Sequence, residues 1–539
     1  MVIKLIMIVV FFAAMIGVGV ICGRRSRGVD GFVLGGCSVG PWLTAFSFGT
    51  AYFSAVIFIG YAGRFGWNFG LASTWIGLGN AFIGSLLAWV VLGRRTRVMT
   101  QHLGSKTMPD FFGARFSSPA LKIAASCITF VFLIPYTASL FNGLAWLFQQ
   151  SFSLDYMWWV IIMAVLTGVY VIVGGYMGSA VNNFIQGIVM LVGIVAVVWA
   201  VMADNGGLTE AIAKLSEASA TTPAGTEFHG AFTSFFGPQP LQLLGVVVLT
   251  SLGTWGLPQM VGKFYAIKDE GAIKKGTVIS TFFGLVVAGG CYFLGGFGRL
   301  YADSVEMNVA GAPASFDTII PVMLNRLEEN MGNAGVLLIG LVLVLVLAAS
   351  MSTLSSLAMT SASTITLDLI APLSKKQKNE KSSMLTMRLI LAASIIIAAA
   401  IAILVVGNGE LAKKLYISDL MGISWGALAG CFLAPFLYGL FWKKVTKAAV
   451  WVSFATGLGI TLTQFVLNAV LKISFENPVL AYFCGSSINA GMLAMLVGLV
   501  IVPMVSLMTR KSVSANVNEI FSCYDRRVEV PIGTSLEKD

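Results

Sequence analysis

Long apolar stretches separated by short polar joints recur from one end of the chain to the other. A run of about eighteen or more apolar residues is long enough to cross a bilayer as a helix. The pattern predicts thirteen such spans, at roughly 3–22, 41–64, 71–93, 119–149, 157–175, 180–202, 240–266, 276–300, 337–365, 385–406, 416–441, 448–471 and 486–509. The joints 203–239 and 301–336 are long enough for short helices lying over a membrane surface. The tail 510–539 is polar and too short for a soluble catalytic domain. Residues 1–22 are not expected to be a cleaved signal: basic residues follow the apolar run, and no small-residue cleavage site appears.

Within the ninth span the apolar pattern is interrupted by hydroxyls, in the run Leu347-Ala-Ala-Ser-Met-Ser-Thr-Leu-Ser-Ser356. Ala349, Ser352, Thr353 and Ser356 follow i, i+3, i+4, i+7 spacing and share one helix face. Small side chains let helices approach closely in lipid. Hydroxyl and carbonyl oxygens also replace water around a small cation. Spacing alone favours helix packing and leaves cation binding as the alternative.

Two other spans carry helix breakers at mid-membrane. The second contains Gly49, Thr50, Tyr52, Phe53, Ser54, Ile57 and Gly60; the seventh contains Gly253, Thr254, Trp255, Gly256, Pro258 and Gln259. Gly and Pro there free carbonyls that need partners. Broken helices at matching places in two halves point to a transport site. If spans 2–6 and 7–11 form two five-helix halves, the broken helices are the first of each.

Composition agrees with a polytopic membrane protein. The 539 residues are 57% hydrophobic and 11% charged, with a mean hydropathy of +0.86. Soluble proteins carry about 25% charged residues. The net charge of +10 would suit nucleic acid, but its placement does not. Basic residues gather in short joints: Arg24, Arg25 and Arg27; Arg94, Arg95 and Arg97; Lys274 and Lys275; Lys375, Lys376 and Lys378; Lys443 and Lys444; Arg510 and Lys511. With the N-terminus outside, all of these fall on the cytoplasmic side, as the positive-inside rule expects. Lys413 and Lys414 are the dissenting pair. No basic stripe with interleaved aromatics suits nucleic acid.

Chemistry for catalysis is missing. The chain has no HExxH and no phosphate-cradling GxxxxGK[ST], so no enzyme is expected. Its seven cysteines (Cys22, Cys37, Cys127, Cys291, Cys431, Cys484, Cys523) have neither disulfide nor metal spacing. His102 and His229 are too few and too far apart for zinc. Spans 2, 6 and 7 contain no Asp or Glu, which favours Na⁺ over H⁺ as the coupling ion. Asp368 lies just past the end of span 9. Asp419 lies near the start of span 11, where capping at the interface is the preferred reading.

Several segments, in order, resemble the sodium:solute symporter family, which includes proline, pantothenate, sialic acid and sugar carriers. They are Thr107-Met-Pro109-Asp110-Phe-Phe-Gly-Ala-Arg115-Phe116, Gly174-Gly175 with Gln186, Gly256-Leu-Pro258-Gln259 followed by Lys263-Phe264, and Ala349-Ser-Met-Ser352-Thr353. The resemblance implies an all-α, LeuT-like fold of about thirteen transmembrane helices: two inverted five-helix repeats, with broken first and sixth core helices. The division would be a helix and loop over 1–40, a first repeat over 41–202, an outer loop over 203–239, a second repeat over 240–441, two helices over 442–509 and a cytoplasmic tail over 510–539.

The resemblance also implies Na⁺-coupled symport of a small organic solute by alternating access. Carried over residue by residue, the sodium site joins the carbonyls of Thr50, Phe53 and Ala349 to the hydroxyls of Ser352 and Thr353. Relatives that carry Asp three residues before Gln186 are associated with a second sodium; this chain has Asn183, which implies one Na⁺ per solute. Proline carriers have Asp in place of Tyr52 and Tyr in place of Thr254, and sugar carriers have Gln in place of Ile57. These departures argue against a typical proline or sugar pocket. Solute-lining candidates are Tyr52, Ala55, Val56, Ile57, Tyr136, Asn142, Thr254, Trp255 and Gln259.

The expected partners are the solute, Na⁺ and the lipid bilayer, in the plasma membrane, with the N-terminus outside and the C-terminus cytoplasmic. The oligomeric state is left open, a monomer included. The rival readings are a sensor or receptor on a transporter scaffold, an H⁺-coupled carrier, and a channel-like carrier.

Overall fold

Apolar helices form here because backbone groups in lipid must satisfy one another within the segment. In the computed structural model, residues 2–525 are described apart from 24–30, 32, 34–38, 153, 222–226, 309–310, 374–379, 408–416, 472 and 474. Outside the described residues lie the basic groups Arg24, Arg25, Arg27, Lys375, Lys376 and Lys378, the dissenting pair Lys413 and Lys414, Cys37, and the tail from 526.

Thirteen segments matter for the site. They are α1 (Val2–Gly23), α2 (Pro41–Tyr52), α3 (Ala62–Phe69), α4 (Pro119–Ser151), α5 (Tyr156–Asp204), α6 (Pro240–Leu252), α7 (Pro258–Tyr265), α8 (Glu270–Gly295), α9 (Asn333–Ser363), α10 (Glu380–Gly407), α11 (Ile417–Phe441), α12 (Lys447–Phe465) and α13 (Ser487–Met508). Helix α2 packs against α5, α8 and α9, while α11 packs against α4, α12 and α13. Helix α1 lies across α5 and α9.

Among the described residues, ten helices are long and apolar enough to cross a membrane. The pair Pro240–Gly256 and Pro258–Tyr265, bent by 44°, makes an eleventh. Two of the ten, Val56–Leu103 and Tyr156–Asp204, are 48 and 49 residues long. At about 1.5 Å per residue each is over 70 Å, more than twice the hydrocarbon thickness of about 30 Å. Both are interrupted at a glycine with positive φ: Gly70 at 61° and Gly175 at 58°. Only glycine adopts this conformation without strain. The sequence boundary predicted between spans 2 and 3 contains Gly70, and that between spans 5 and 6 begins beside Gly175.

The predicted span 41–64 is not one helix. Helix α2 stops at Tyr52, Phe53 is extended (φ −84°, ψ 127°), and the chain resumes as a wide π-helical turn over Val56–Tyr61 before α3. Span 3 continues past its predicted end at 93, through the helix Arg94–Leu103, to a left-handed cap at Gly104. Its arginines do not end the helix because that part lies beyond the apolar run. The joint 203–239 holds the expected short helix, Leu208–Glu217, and also an antiparallel strand pair, Ser219–Thr221 with Glu227–His229, that the apolar pattern did not predict. The joint 301–336 holds the helix Ile319–Met331.

Candidate ion and solute site

Where α2 ends, its last carbonyls lose the amide partners that a continuing helix would supply. Opposite them α9 runs unbroken and presents the hydroxyl face predicted from spacing. The Ser352 hydroxyl lies 2.9 Å from the Thr50 carbonyl and 2.7 Å from the Ala349 carbonyl. The Thr353 hydroxyl lies 3.2 Å from the carbonyls of both Thr50 and Phe53, and 3.1 Å from that of Ala349. All five residues are buried. The five oxygens predicted as one set therefore converge at the break in α2. Ser350, on the adjacent face of α9, accepts the Ala55 amide at 3.0 Å and holds the far side of the break. Spacing had not singled it out.

No carboxylate joins this cluster, and among the described residues no group of three His, Cys, Asp or Glu lies close enough to hold a metal ion. A neutral oxygen set of this kind suits a weakly held monovalent ion, which can be captured and released.

The nine solute-lining candidates do not converge on one cavity. The rings of Tyr52 and Tyr136 both meet Trp425 of α11 edge-on, with centroids 5.7 and 6.0 Å away. Ala55, Val56 and Ile57 are fully buried in the resumed part of the broken helix. Tyr52 and Thr254 line a small cavity together with Asn80 and Ser280. The Thr254 hydroxyl donates to the Gly84 carbonyl at 3.1 Å, and the Trp255 indole to the Ile83 carbonyl at 3.0 Å. Asn142 accepts from the Tyr156 hydroxyl, between α4 and α5. Gln259 lines a different chamber, beside Lys263.

Two charge clusters frame the ends of the bundle. At the end where α3 closes, Arg64 pairs with Asp419 at 2.9 Å and donates to Ser418 at 2.7 Å. Asp419 lies in the first turn of α11, where the capping reading put it, and its side chain also bridges α11 to α3 through this ion pair. Beside it Asp317, in the joint before α9, is buried and accepts the Ile417 amide at 3.1 Å. Burial pushes the Asp317 carboxyl up to about 7, against the pull of the Ile417 amide and of Arg64, with Asp419 adding to the push. At the other end Lys122 pairs with Asp110 at 2.7 Å and with Asp368 at 3.2 Å, and Thr107 donates to Asp368. Asp110 and Thr107 belong to the Thr107–Phe116 motif, so that motif ties the helix Met108–Arg115 to the end of the α9 span.

Residues 32–457 match the sodium:solute symporter family. The chain belongs to that family. A sodium/proline symporter of Staphylococcus aureus strain JH9 is 29% identical to it over 454 residues, 82% of each chain. The same holds for the protein of that name from strain NCTC 8325. Among solved structures, a Na⁺-coupled sialic acid symporter in a substrate-bound, outward-open state is similar, with a TM-score of 0.69 and 16% identity over 94% of this chain and 98% of that one. MhsT in complex with L-phenylalanine has a TM-score of 0.51 and 13% identity over 87% of this chain and 97% of that one. The fold is thus LeuT-like, and this sodium:solute symporter is a multi-pass integral membrane protein that couples Na⁺ to symport of a small solute, with no enzymatic role. The reading of the broken helices and missing carboxylates as Na⁺-driven transport agrees with that assignment.

Proposed function

We propose that one Na⁺ binds between the carbonyls of Thr50, Phe53 and Ala349 and the hydroxyls of Ser352 and Thr353, and that this ion drives inward movement of one small organic solute. The observation that carries the reading is the convergence of these five buried oxygens at the break in α2. The ion would replace the hydroxyl-to-carbonyl hydrogen bonds and tie the broken helix to α9. Its departure would let the two move apart. With a membrane potential near 100 mV, each inward charge contributes about 2.3 kcal/mol before the Na⁺ gradient is added.

The single-ion reading is supported by Asn183, a neutral residue whose amide nitrogen lies 3.4 Å from the Ser47 hydroxyl, at the position where relatives associated with a second sodium carry Asp. A solute path between α2, α4, α7 and α11 would pass Tyr52, Ala55, Val56, Ile57, Tyr136, Thr254, Trp255 and Gln259. Asn142, the ninth candidate, accepts from Tyr156. The relatives named as sodium/proline symporters make proline the first solute to test, although Tyr52 and Thr254 depart from the proline pattern.

Counting the two long interrupted helices as two crossings each gives thirteen. The chain then divides at 40, 202, 239, 441 and 509 into a leading helix, two inverted repeats around an outer loop, two closing helices and a tail. In the plasma membrane the N-terminus would be outside and the end bearing Lys122 and Asp110 cytoplasmic. The test is uptake into proteoliposomes under an imposed Na⁺ gradient, with choline as control and amino acids, carboxylates, vitamins and sugars as solutes. Uptake that is equal in Na⁺ and choline would exclude the proposed site as the coupling element.

A further inference from the structure

Lys263 is a buried cation with no carboxylate partner among the described residues. It is only 7% exposed, and its ammonium donates to the Ser356 hydroxyl at 3.0 Å and lies 5.4 Å from the centre of the Tyr176 ring. No acidic residue lies within ion-pair distance of it among the described residues. A buried charge that meets only neutral groups leaves much of its desolvation uncompensated. An intramembrane ionisable residue is by default a functional one.

One turn earlier on α7 stands Gln259, 2% exposed, and neither atom of its side-chain amide has a hydrogen-bond partner. Residues at i and i+4 share a helix face. Both side chains line one chamber, whose space for water centres is about 60 Å³. A buried water needs roughly 10–15 Å³ on that measure, so the chamber holds several water-sized groups. It is also lined by Lys106 and by the hydroxyl residues Ser47, Ser179 and Ser355, and among the described residues by no acidic one. Gly262, between Gln259 and Lys263, faces open space: a Cβ there would meet nothing within 4 Å.

We propose that this chamber is an anion subsite, which takes the carboxylate of the transported solute through Lys263 Nζ and Gln259 Nε2. The proposal rests on the sodium-site reading above and names the solute class. A carboxylate has acceptor sites for both donors and leaves the neutral parts of the solute free to differ. The chamber adjoins the oxygen cluster: Ser356, which accepts from Lys263, donates to the Ser352 carbonyl at 3.0 Å. An anion beside Lys263 offsets a positive charge about one helical turn from the Na⁺ position. Na⁺ and carboxylate should therefore strengthen one another's binding, by linkage.

The test uses the purified full chain in detergent, followed by thermal unfolding. The probes are acetate, propionate and L-proline, each beside its uncharged-carboxyl counterpart, acetamide, propionamide or L-prolinamide, in Na⁺ and in choline with methanesulfonate as the background anion. The carboxylates should stabilise the wild type, more so in Na⁺, and the amides should not. Lys263→Gln should raise the half-saturating carboxylate concentration about tenfold or more, the loss expected for one charge-assisted bond. Lys263→Arg should keep most of the effect, which separates lost charge from lost folding. Gly262→Leu, which fills the chamber and leaves both donors in place, should also abolish it. Equal stabilisation by acids and amides, or a response unchanged in Lys263→Gln, overturns the proposal. Chloride that matches the carboxylates would make this a small inorganic-anion site and overturn the assignment to the solute. Stabilisation by Na⁺ alone reports separately on the oxygen cluster, so the subsite can fail while the sodium site stands.

Discussion

The Thr353 hydroxyl lies 3.2 Å from the Thr50 carbonyl, across 303 residues of sequence. It lies equally close to the Phe53 carbonyl and has a single hydrogen to share. Ser352 repeats the arrangement between Thr50 and Ala349. Three carbonyls thus face two hydroxyl protons, and the contacts to Thr50 and Phe53 couple a broken helix to an unbroken one. Such a cluster has more acceptor capacity than donors, and a small cation supplies what it lacks.

Removing both hydroxyls should therefore weaken Na⁺ binding without removing the fold, because the Ser350–Ala55 bond still holds the break. Ser352→Ala combined with Thr353→Ala is expected to raise the Na⁺ concentration for half-maximal uptake about tenfold or more, at about 1 kcal/mol per lost ligand. Na⁺ titration of solute uptake in proteoliposomes measures this. An unchanged Na⁺ curve in the double variant sinks the assignment.

Asn183 tests the stoichiometry. It is buried, its amide nitrogen faces Ser47, and its side-chain oxygen has no hydrogen-bond partner. A carboxylate here would need a cation close by. Asn183→Asp is expected to recruit a second Na⁺ and double the charge moved per solute. Reversal potentials in proteoliposomes, at fixed solute and Na⁺ gradients, report that charge. Identical values for both proteins would argue against one-sodium coupling.

Much of this architecture was legible in the sequence because lipid leaves the backbone few choices. Apolar length marked the spans, and Gly70 and Gly175 mark where two long helices are interrupted. Breakers at Gly49 to Ser54 and hydroxyls spaced by three and four at Ala349 to Thr353 marked the two elements, but the oxygen set itself came from the resemblance to the sodium:solute symporters. Other features were hidden for physical reasons. The strand pair in the joint 203–239 is held by backbone bonds that leave no apolar pattern. Partner choice across the bundle is a tertiary property, so the Arg64 partner of Asp419 is not readable from the first turn of α11 alone. Lys263 carried a readable signal, a charge inside an apolar span, but had entered only as part of a motif. Asn142 accepts from Tyr156, a partner that periodicity within one helix cannot reveal.

The Arg64–Asp419 pair should hold one end of the bundle closed. Arg64 also lines a chamber of about 240 Å³, together with Asn68, Gln239, Gln242 and Asn489. Both partners are partly exposed, so the pair contributes about 1 kcal/mol. Arg64→Gln is expected to speed maleimide labelling of a Gln242→Cys probe about fivefold, after subtraction of labelling at the native cysteines. Asp419→Asn should do the same. Equal labelling rates with and without Arg64 would show that the end is closed by packing alone.

Asp317 adds a pH dependence at the same end. Its carboxyl is pushed up to about 7 by burial, while in the unfolded chain it titrates near 4. The folded protein therefore holds this proton more tightly. Its contribution to stability is full at pH below about 4, falls as pH rises, and is lost above about 7. The charged groups facing it are Arg64, which favours ionisation, and Asp419, which opposes it. Three units of separation correspond to a change on the order of 4 kcal/mol. Wild-type protein should thus unfold at a higher temperature at pH 5.5 than at pH 8. Asp317→Asn keeps an acceptor for the Ile417 amide but has no proton to lose, so its melting temperature should vary less over that range. The same slope in both proteins would mean that the carboxyl is already ionised at pH 5.5, its burial offset by Arg64.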